Sequence, residues 1–290
     1  MAKLFVDTSL KASAHMFGAT RAEACELFGH ILLELALPSA ALDAYLKARD
    51  FFQVLEGYGS SRIATLCDLI AWTCTELGEV NNAFKSFASA TGFKRAQDST
   101  ETTVAIRSIA CLRAGAAEDA LASLREFWRL RGATQEEIED SQEPEDSGDI
   151  MLLARIFRLQ GKLEDACNLC KRTIALRRPK YGATGGPRLA DSLFFLSQLL
   201  DAEGKPDRAI AKLQEIVEMR PEAPEMRPHR ARAYWFLANA KVKMGVLEDS
   251  SEVTDARKAA RGARSGIERR EWQDEDTDEG YMRLVPFLLW

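Results

Sequence analysis

A small-residue break recurs along this chain at nearly even spacing, and few folds tolerate such a rhythm. Gly78, Gly115, Gly161, Gly204 and Gly245 stand 37, 46, 43 and 41 residues apart, and Ala36 lies 42 residues before the first of them. Each break separates two apolar-periodic stretches. The clearest unit runs from Leu189 to Pro221. Leu193, Leu196 and Leu200 fall on one face of a helix, Glu203-Gly204-Lys205-Pro206 forms a turn, and Ala209, Leu213 and Ile216 fall on one face of a second helix. The glycine permits a tight reversal, Pro206 suits the first turn of a helix, and Arg220-Pro221 ends it. A fixed period of this length, built from helix pairs, predicts a stacked array rather than one globular core.

The same grammar appears elsewhere. Leu77-Gly78-Glu79 leads to Ala83, Phe87 and Ala90; Ala114-Gly115 leads to Ala120 and Leu124; Gln160-Gly161-Lys162 leads to Ala166 and Cys170. Leu35-Ala36-Leu37-Pro38 precedes Ala41, Tyr45 and Ala48, and Met244-Gly245-Val246 precedes a weaker helix with Ser250 and Ala256. On Gly29, Leu32, Ala41, Tyr45 and Ala48 in the first unit, and on Cys67, Ile70, Ala71, Cys74, Gly78, Ala83, Phe87 and Ala90 in the second, the chain resembles the tetratricopeptide repeat family. The fifth unit fits on Leu193, Leu196, Leu200, Gly204, Ala209, Leu213 and Pro221. Spacing near 42 residues, together with Tyr181-Gly182 and Gly186-Pro187-Arg188-Leu189-Ala190-Asp191-Ser192-Leu193, is similar to the kinesin-light-chain subtype.

The resemblance, over about residues 18–262, implies an all-α, right-handed solenoid of about six helix-turn-helix repeats with a C-terminal capping helix or tail. The expected divisions are an N-terminal helix or arm (1–17), repeats one to three (18–131), an acidic connector (132–149), repeats four to six (150–262) and a cap with an apolar tail (263–290). The connector holds eight Asp, Glu and Pro residues from Glu136 to Asp146, seven of them acidic, and reads as an acidic loop or frayed helix extension. The third unit departs from the family pattern at Arg107 and Phe127, the sixth at Ser250 and Arg257; a more polar last unit suits an array's end. The tail, ending Phe287-Leu288-Leu289-Trp290, should pack on the last repeat as a cap. The rival is insertion of Phe287 and Trp290 into a groove, its own or a neighbour's.

Charge is uneven. Residues 1–150 hold 14 Lys+Arg against 23 Asp+Glu, a balance of −9, whereas residues 151–290 hold 25 against 21, a balance of +4. An acidic front and a basic back suit steering of a partner or head-to-tail self-association. A low pI with no pervasive basic stripe argues against nucleic acid, and no stretch reaches the ~18 apolar residues of a membrane span. Met1 to Phe17 carry no continuous apolar core, so no secretory leader is expected. The six cysteines fall inside apolar helical patterns and read as reduced, packed thiols of a cytoplasmic protein.

No catalytic set emerges. His15, His30 and His229 are far apart and lack a paired nucleophile. Cys167-Asn168-Leu169-Cys170 has redox or zinc spacing, yet it sits mid-helix with no second pair, so packing is the expected role. Gly182-Ala183-Thr184-Gly185-Gly186 lacks a preceding strand and the Gly-Lys-Ser/Thr order of a phosphate loop. No metal or cofactor is expected, and the chain reads as non-enzymatic.

In the family the first helix of each repeat lines a concave face. That places His30 and Trp72 there in the first half, and Arg155, Arg158, Phe194, Gln198, Arg232, Trp235, Asn239 and Lys243 in the second. Arginines can pair bidentately with carboxylate, and aromatics can bury an apolar anchor. The expected partner is thus a protein or peptide segment, acidic with an embedded apolar residue; kinesin-light-chain repeats take tryptophan-acidic peptides in this way. Chaperone-tail binding is not expected, since the family's carboxylate-clamp positions hold Glu26, His30, Leu69, Thr102 and Ile106. The alternatives are a small anionic ligand or catalysis in that same groove, and a self-associating scaffold built through the tail.

Overall fold

The computed structural model describes residues 18–34, 37–57, 60–93, 101–181, 185–265, 267 and 276–285. Expectations for the 1–17 arm, His15, Ala36, the 182–184 part of the glycine-rich connector, and Phe287 and Trp290 lie outside these residues. The described chain is helical, without a strand among its described residues, and divides into two units, 1–134 and 135–290.

The first unit holds three helix pairs: α1 (Gly18–Glu34) with α2 (Pro38–Glu56), α3 (Ser61–Leu77) with α4 (Val80–Phe93), and α5 (Glu101–Arg113) with α6 (Ala117–Leu130). The second unit begins with α7 (Gln135–Asp140) and a 3-10 turn (Pro144–Asp146). Three pairs follow: α8 (Ser147–Leu159) with α9 (Leu163–Tyr181), α10 (Pro187–Ala202) with α11 (Pro206–Glu218), and α12 (Arg227–Lys243) with α13 (Ser251–Ser265). A five-residue helix, α14 (Asp278–Met282), packs on α12. Each unit thus stacks three consecutive helix pairs, six in all among the described residues, and the described chain is all-α.

The breaks act as the spacing predicts. All five turn glycines, Gly78, Gly115, Gly161, Gly204 and Gly245, have φ between 72° and 90°, a region that costs a side-chain-bearing residue energy and glycine none. Pro38 and Pro206 open α2 and α11, and Arg220, with φ of 38°, turns the chain after α11 just before Pro221. Close approach decides another position. A Cβ on Gly29 would lie 2.5 Å from the Tyr45 ring, which is wholly buried between α1 and α2.

The departures from the family pattern have local uses. Arg107 donates from Nε to the Ser123 hydroxyl at 3.0 Å, tying α5 to α6, and Phe127 is buried beneath the Arg131 guanidinium. Ser250 lies one residue before α13 and accepts from the Val253 amide, and Arg257 lies over the Trp235 indole at 3.6 Å. The acidic stretch is not a plain loop. Ile138 on α7 is buried, and Arg172 on α9 donates twice, at 2.8 and 3.2 Å, to the Ser141 carbonyl. Ser147 and Asp149, read as connector residues, are buried in the first turn of α8.

Candidate functional site

The first helices of the second unit's pairs, α8, α10 and α12, carry the residues expected to face a partner, and they are bonded to one another. Asp191 on α10 is 1% exposed and accepts from Arg155 on α8 at 2.7 Å and from Arg232 on α12 at 3.1 Å. Arg155 also lies over the Phe195 ring and Arg232 over Phe194, at 5.1 and 3.9 Å. Burial by itself would raise the Asp191 carboxyl, but Arg155, Arg232 and His229 together hold it below the usual carboxylate range. Burial pushes Arg232 down to about 10 against the pull of Asp191, so it stays charged near neutrality.

The remaining positions form the exposed part of the same ladder. Arg158 donates to the Gln198 side-chain oxygen at 2.8 Å, and Lys243 donates to Asp201 at 2.7 Å. Phe194 is only 2% exposed and meets Phe236 edge to face. The aromatic platforms are therefore covered rather than open. Trp235 shows this most clearly: its ring stacks on Tyr281 at 4.4 Å with 13° between planes, and its Nε1 donates to Asp278 at 2.7 Å. Asn239 donates to the same Asp278 oxygen at 2.7 Å. Gln198 reaches the Met282 sulfur at 4.0 Å.

The occupant is residues 276–285, part of the stretch expected to cap the last repeat, though its pairing with Trp235 and Asn239 was not foreseen. Asp276 accepts from Arg261 at 2.6 Å and from the Tyr281 hydroxyl at 3.1 Å, and Arg264 approaches it to 3.2 Å. Tyr281, Leu284 and Val285 are buried, and Tyr281 and Leu284 join Ala231, Trp235, Ala260 and Ile267 in one cluster. Burial pushes the Tyr281 phenol up to about 12, keeping it a neutral donor. The available signal was the alternation of carboxylates with an aromatic, Asp276-Thr277-Asp278-Glu279-Gly280-Tyr281, within the stretch expected as a cap.

In the first unit, His30 is exposed at its edge and hydrogen-bonds the Tyr45 hydroxyl through Nδ1 at 3.0 Å, while Trp72 is half-buried against the core. The cysteine pair behaves as packing. All six cysteines are buried free thiols; Cys170 donates to the Ser192 carbonyl at 3.3 Å, and burial pushes its thiol well up. A raised thiol is a poor nucleophile and a poor metal ligand.

Residues 146–222, which span α8 to α11, match the tetratricopeptide repeat family. That stretch carries tetratricopeptide repeats. No curated protein matches it in sequence. Among solved structures, BtubC (BKLC) from P. vanneervenii is similar with a TM-score of 0.54 at 13% identity, over 82% of this chain and 93% of that one. The nearly identical TPR-like repeats described as a putative kinesin light chain of Podosopora anserina give 0.50 at 18% identity, over 72% and 98%. A thermophilic TPR protein in Thermus thermophilus gives 0.51 at 18%, over 73% and 98%. At these identities the likeness concerns the fold of the tetratricopeptide array. Among the described residues no helix is long and apolar enough to cross a membrane.

Proposed function

We propose that this chain, with its tetratricopeptide repeats, is a non-enzymatic interaction module that takes an acidic partner segment with an apolar anchor on the α8, α10 and α12 face of its second unit. Such repeats mediate protein–protein interaction generally. The observation that carries the finer reading is the exposed half of the ladder. Arg158 and Lys243 are themselves exposed and hold half-buried Gln198 and Asp201, Arg158 also lying 5.6 Å over the Phe195 ring, and the exposed Lys243 pair is worth about 0–1 kcal/mol, so each can re-pair with a carboxylate brought by a partner. Arg155 and Arg232 play a different part, holding α8 and α12 to Asp191 beneath that surface. On the six buried thiols we place the module in the reducing cytoplasm.

The test is an array of short peptides, acidic, neutral and basic, each with and without a central aromatic, probed with the full chain. Acidic aromatic members should bind best, and Arg158→Glu/Lys243→Glu should weaken them about tenfold or more while leaving the helical signal intact. Equal binding of the charge-reversed chain would end this reading. Reversal of Arg155 and Arg232 is not a clean test, because it would strand Asp191.

A further inference from the structure

We propose that the edge of the last repeat, formed by Trp235 and Asn239 on α12 and Arg257, Arg261 and Arg264 on α13, is a receptor for helical segments of the pattern acid-x-acid-x-x-aromatic, and that residues 276–285 are its resident copy. The inference rests on the preceding reading and names the partner's pattern. Three features of the segment are each met by dedicated groups. The first carboxylate, Asp276, is met by Arg261 and Arg264. The second, two residues on, receives the indole and carboxamide N–H of Trp235 and Asn239 on one oxygen. The aromatic, three residues further, is wholly buried on Trp235 between α12 and α13.

The segment does not make its own structure. Five residues of helix are far below the length that is stable alone, and its side-chain cap is the Thr277 hydroxyl, which accepts from the Gly280 amide at 3.0 Å. Its shape is imposed by the surface it sits on, so the surface specifies the pattern and any chain bearing it can be shaped likewise. Nor does the resident copy satisfy the surface fully. Arg257 donates to the Asn239 side-chain oxygen, yet its Nη1 is buried without a hydrogen-bond partner beside Asp278. A partner segment carrying one more acceptor there has a contact that the resident copy lacks. The occupant we infer is a segment of another protein, in competition with residues 276–285, whose tether gives them a local concentration of about millimolar order.

Fluorescence polarisation with a labelled peptide of residues 276–285 tests the idea. The full-length Asp278→Ala/Tyr281→Ala chain, whose own segment has lost its grip, should bind the peptide about tenfold or more tighter than the wild-type chain, in proportion to the fraction of receptor set free. Adding Arg257→Glu should remove that binding, as should a peptide with both aspartates changed to asparagine. A folded Asp278→Ala/Tyr281→Ala chain that binds no better than wild type would overturn the proposal. Should that chain not fold, hydrogen exchange on the wild-type chain decides: excess peptide should speed exchange at Tyr281 and Leu284, and unchanged rates would overturn it. A dimer that forms without peptide and is lost in the double variant would also overturn it, by assigning the surface to a second copy. Failure here with the Arg158/Lys243 effect intact would leave the reading of function standing, and the reverse result would separate them equally well.

Discussion

The two units are built from the same helix pair and hold their first helices together by different means. In the first unit the link between α3 and α5 is neutral on one side: the Thr103 hydroxyl donates to buried Asp68 at 2.8 Å. The charged contact, Arg62 to Glu23 and Glu26 at 3.3 and 3.5 Å, stays at the surface. In the second unit a buried carboxylate is clamped by two arginines from the helices on either side. Buried ion pairs add little net stability when formed, but breaking one by removing a single partner is costly. Repeat number and repeat stability are thus separable: the same helix pair can be joined by a hydrogen bond from a neutral hydroxyl or by a buried ion pair that tolerates no partial loss.

The largest expected effect follows from that contrast. Asp191→Ala leaves Arg155 and Arg232 without their shared carboxylate and should cost about 3–5 kcal/mol, whereas Asp68→Ala removes a hydrogen bond from Thr103 and should cost about 1–3 kcal/mol. Hydrogen exchange of α10 against α3 in each variant reads the two separately; equal losses would erase the distinction. The carboxyl also predicts a pH response. Its folded pKa is depressed, so its contribution is full above the unfolded value of about 3.9 and is lost as pH falls through the lower folded value. Protection of α10 should therefore fall on acidification through about pH 4 and go on falling below it, and more steeply in the wild-type chain than in Asp191→Asn.

A smaller effect probes the first unit's reliance on close packing. Gly29→Ala places a methyl against the Tyr45 ring, which is wholly buried and cannot swing away without opening α1 from α2. Overpacking of this kind costs about 1–3 kcal/mol, measurable as a lower urea midpoint. A neutral result would mean that the α1–α2 contact is looser than its geometry.

The fold was legible because its determinants are local. Gly204 and Pro206 announce a turn by backbone chemistry alone, and Leu193, Leu196 and Leu200 announce a buried face by spacing. The candidate site was legible only by position. Periodicity places Arg155, Arg232 and Trp235 on a first helix, but it cannot tell a partner-facing arginine from one consumed by Asp191 36 or 41 residues away. Nor can it show that Asp278, 43 residues beyond Trp235, sits on that indole. Those outcomes depend on contacts between repeats, where sequence distance carries no periodic signal.

The smallest effects sharpen the comparison most, because they ask whether a short ion pair is a strong one. Lys243 to Asp201 is 2.7 Å, shorter than either Arg62 contact, yet the Lys243 side chain is 64% exposed. Arg62 is 40% exposed, and its guanidinium also lies 4.2 Å over the ring of buried Phe52. An exposed pair is screened and contributes about 0–1 kcal/mol, while a guanidinium on an aromatic face contributes about 0.5–1 kcal/mol and also shields that face from water. Arg62→Ala should therefore lower the first unit's stability by about 1 kcal/mol with little salt dependence, and Lys243→Ala should change the second unit's by less than about 0.5 kcal/mol. Urea titrations at low and high salt measure both. A larger loss at Lys243 would mean that the outer ladder of the second unit is holding its helices together, and would take from it the freedom to re-pair on which partner binding depends.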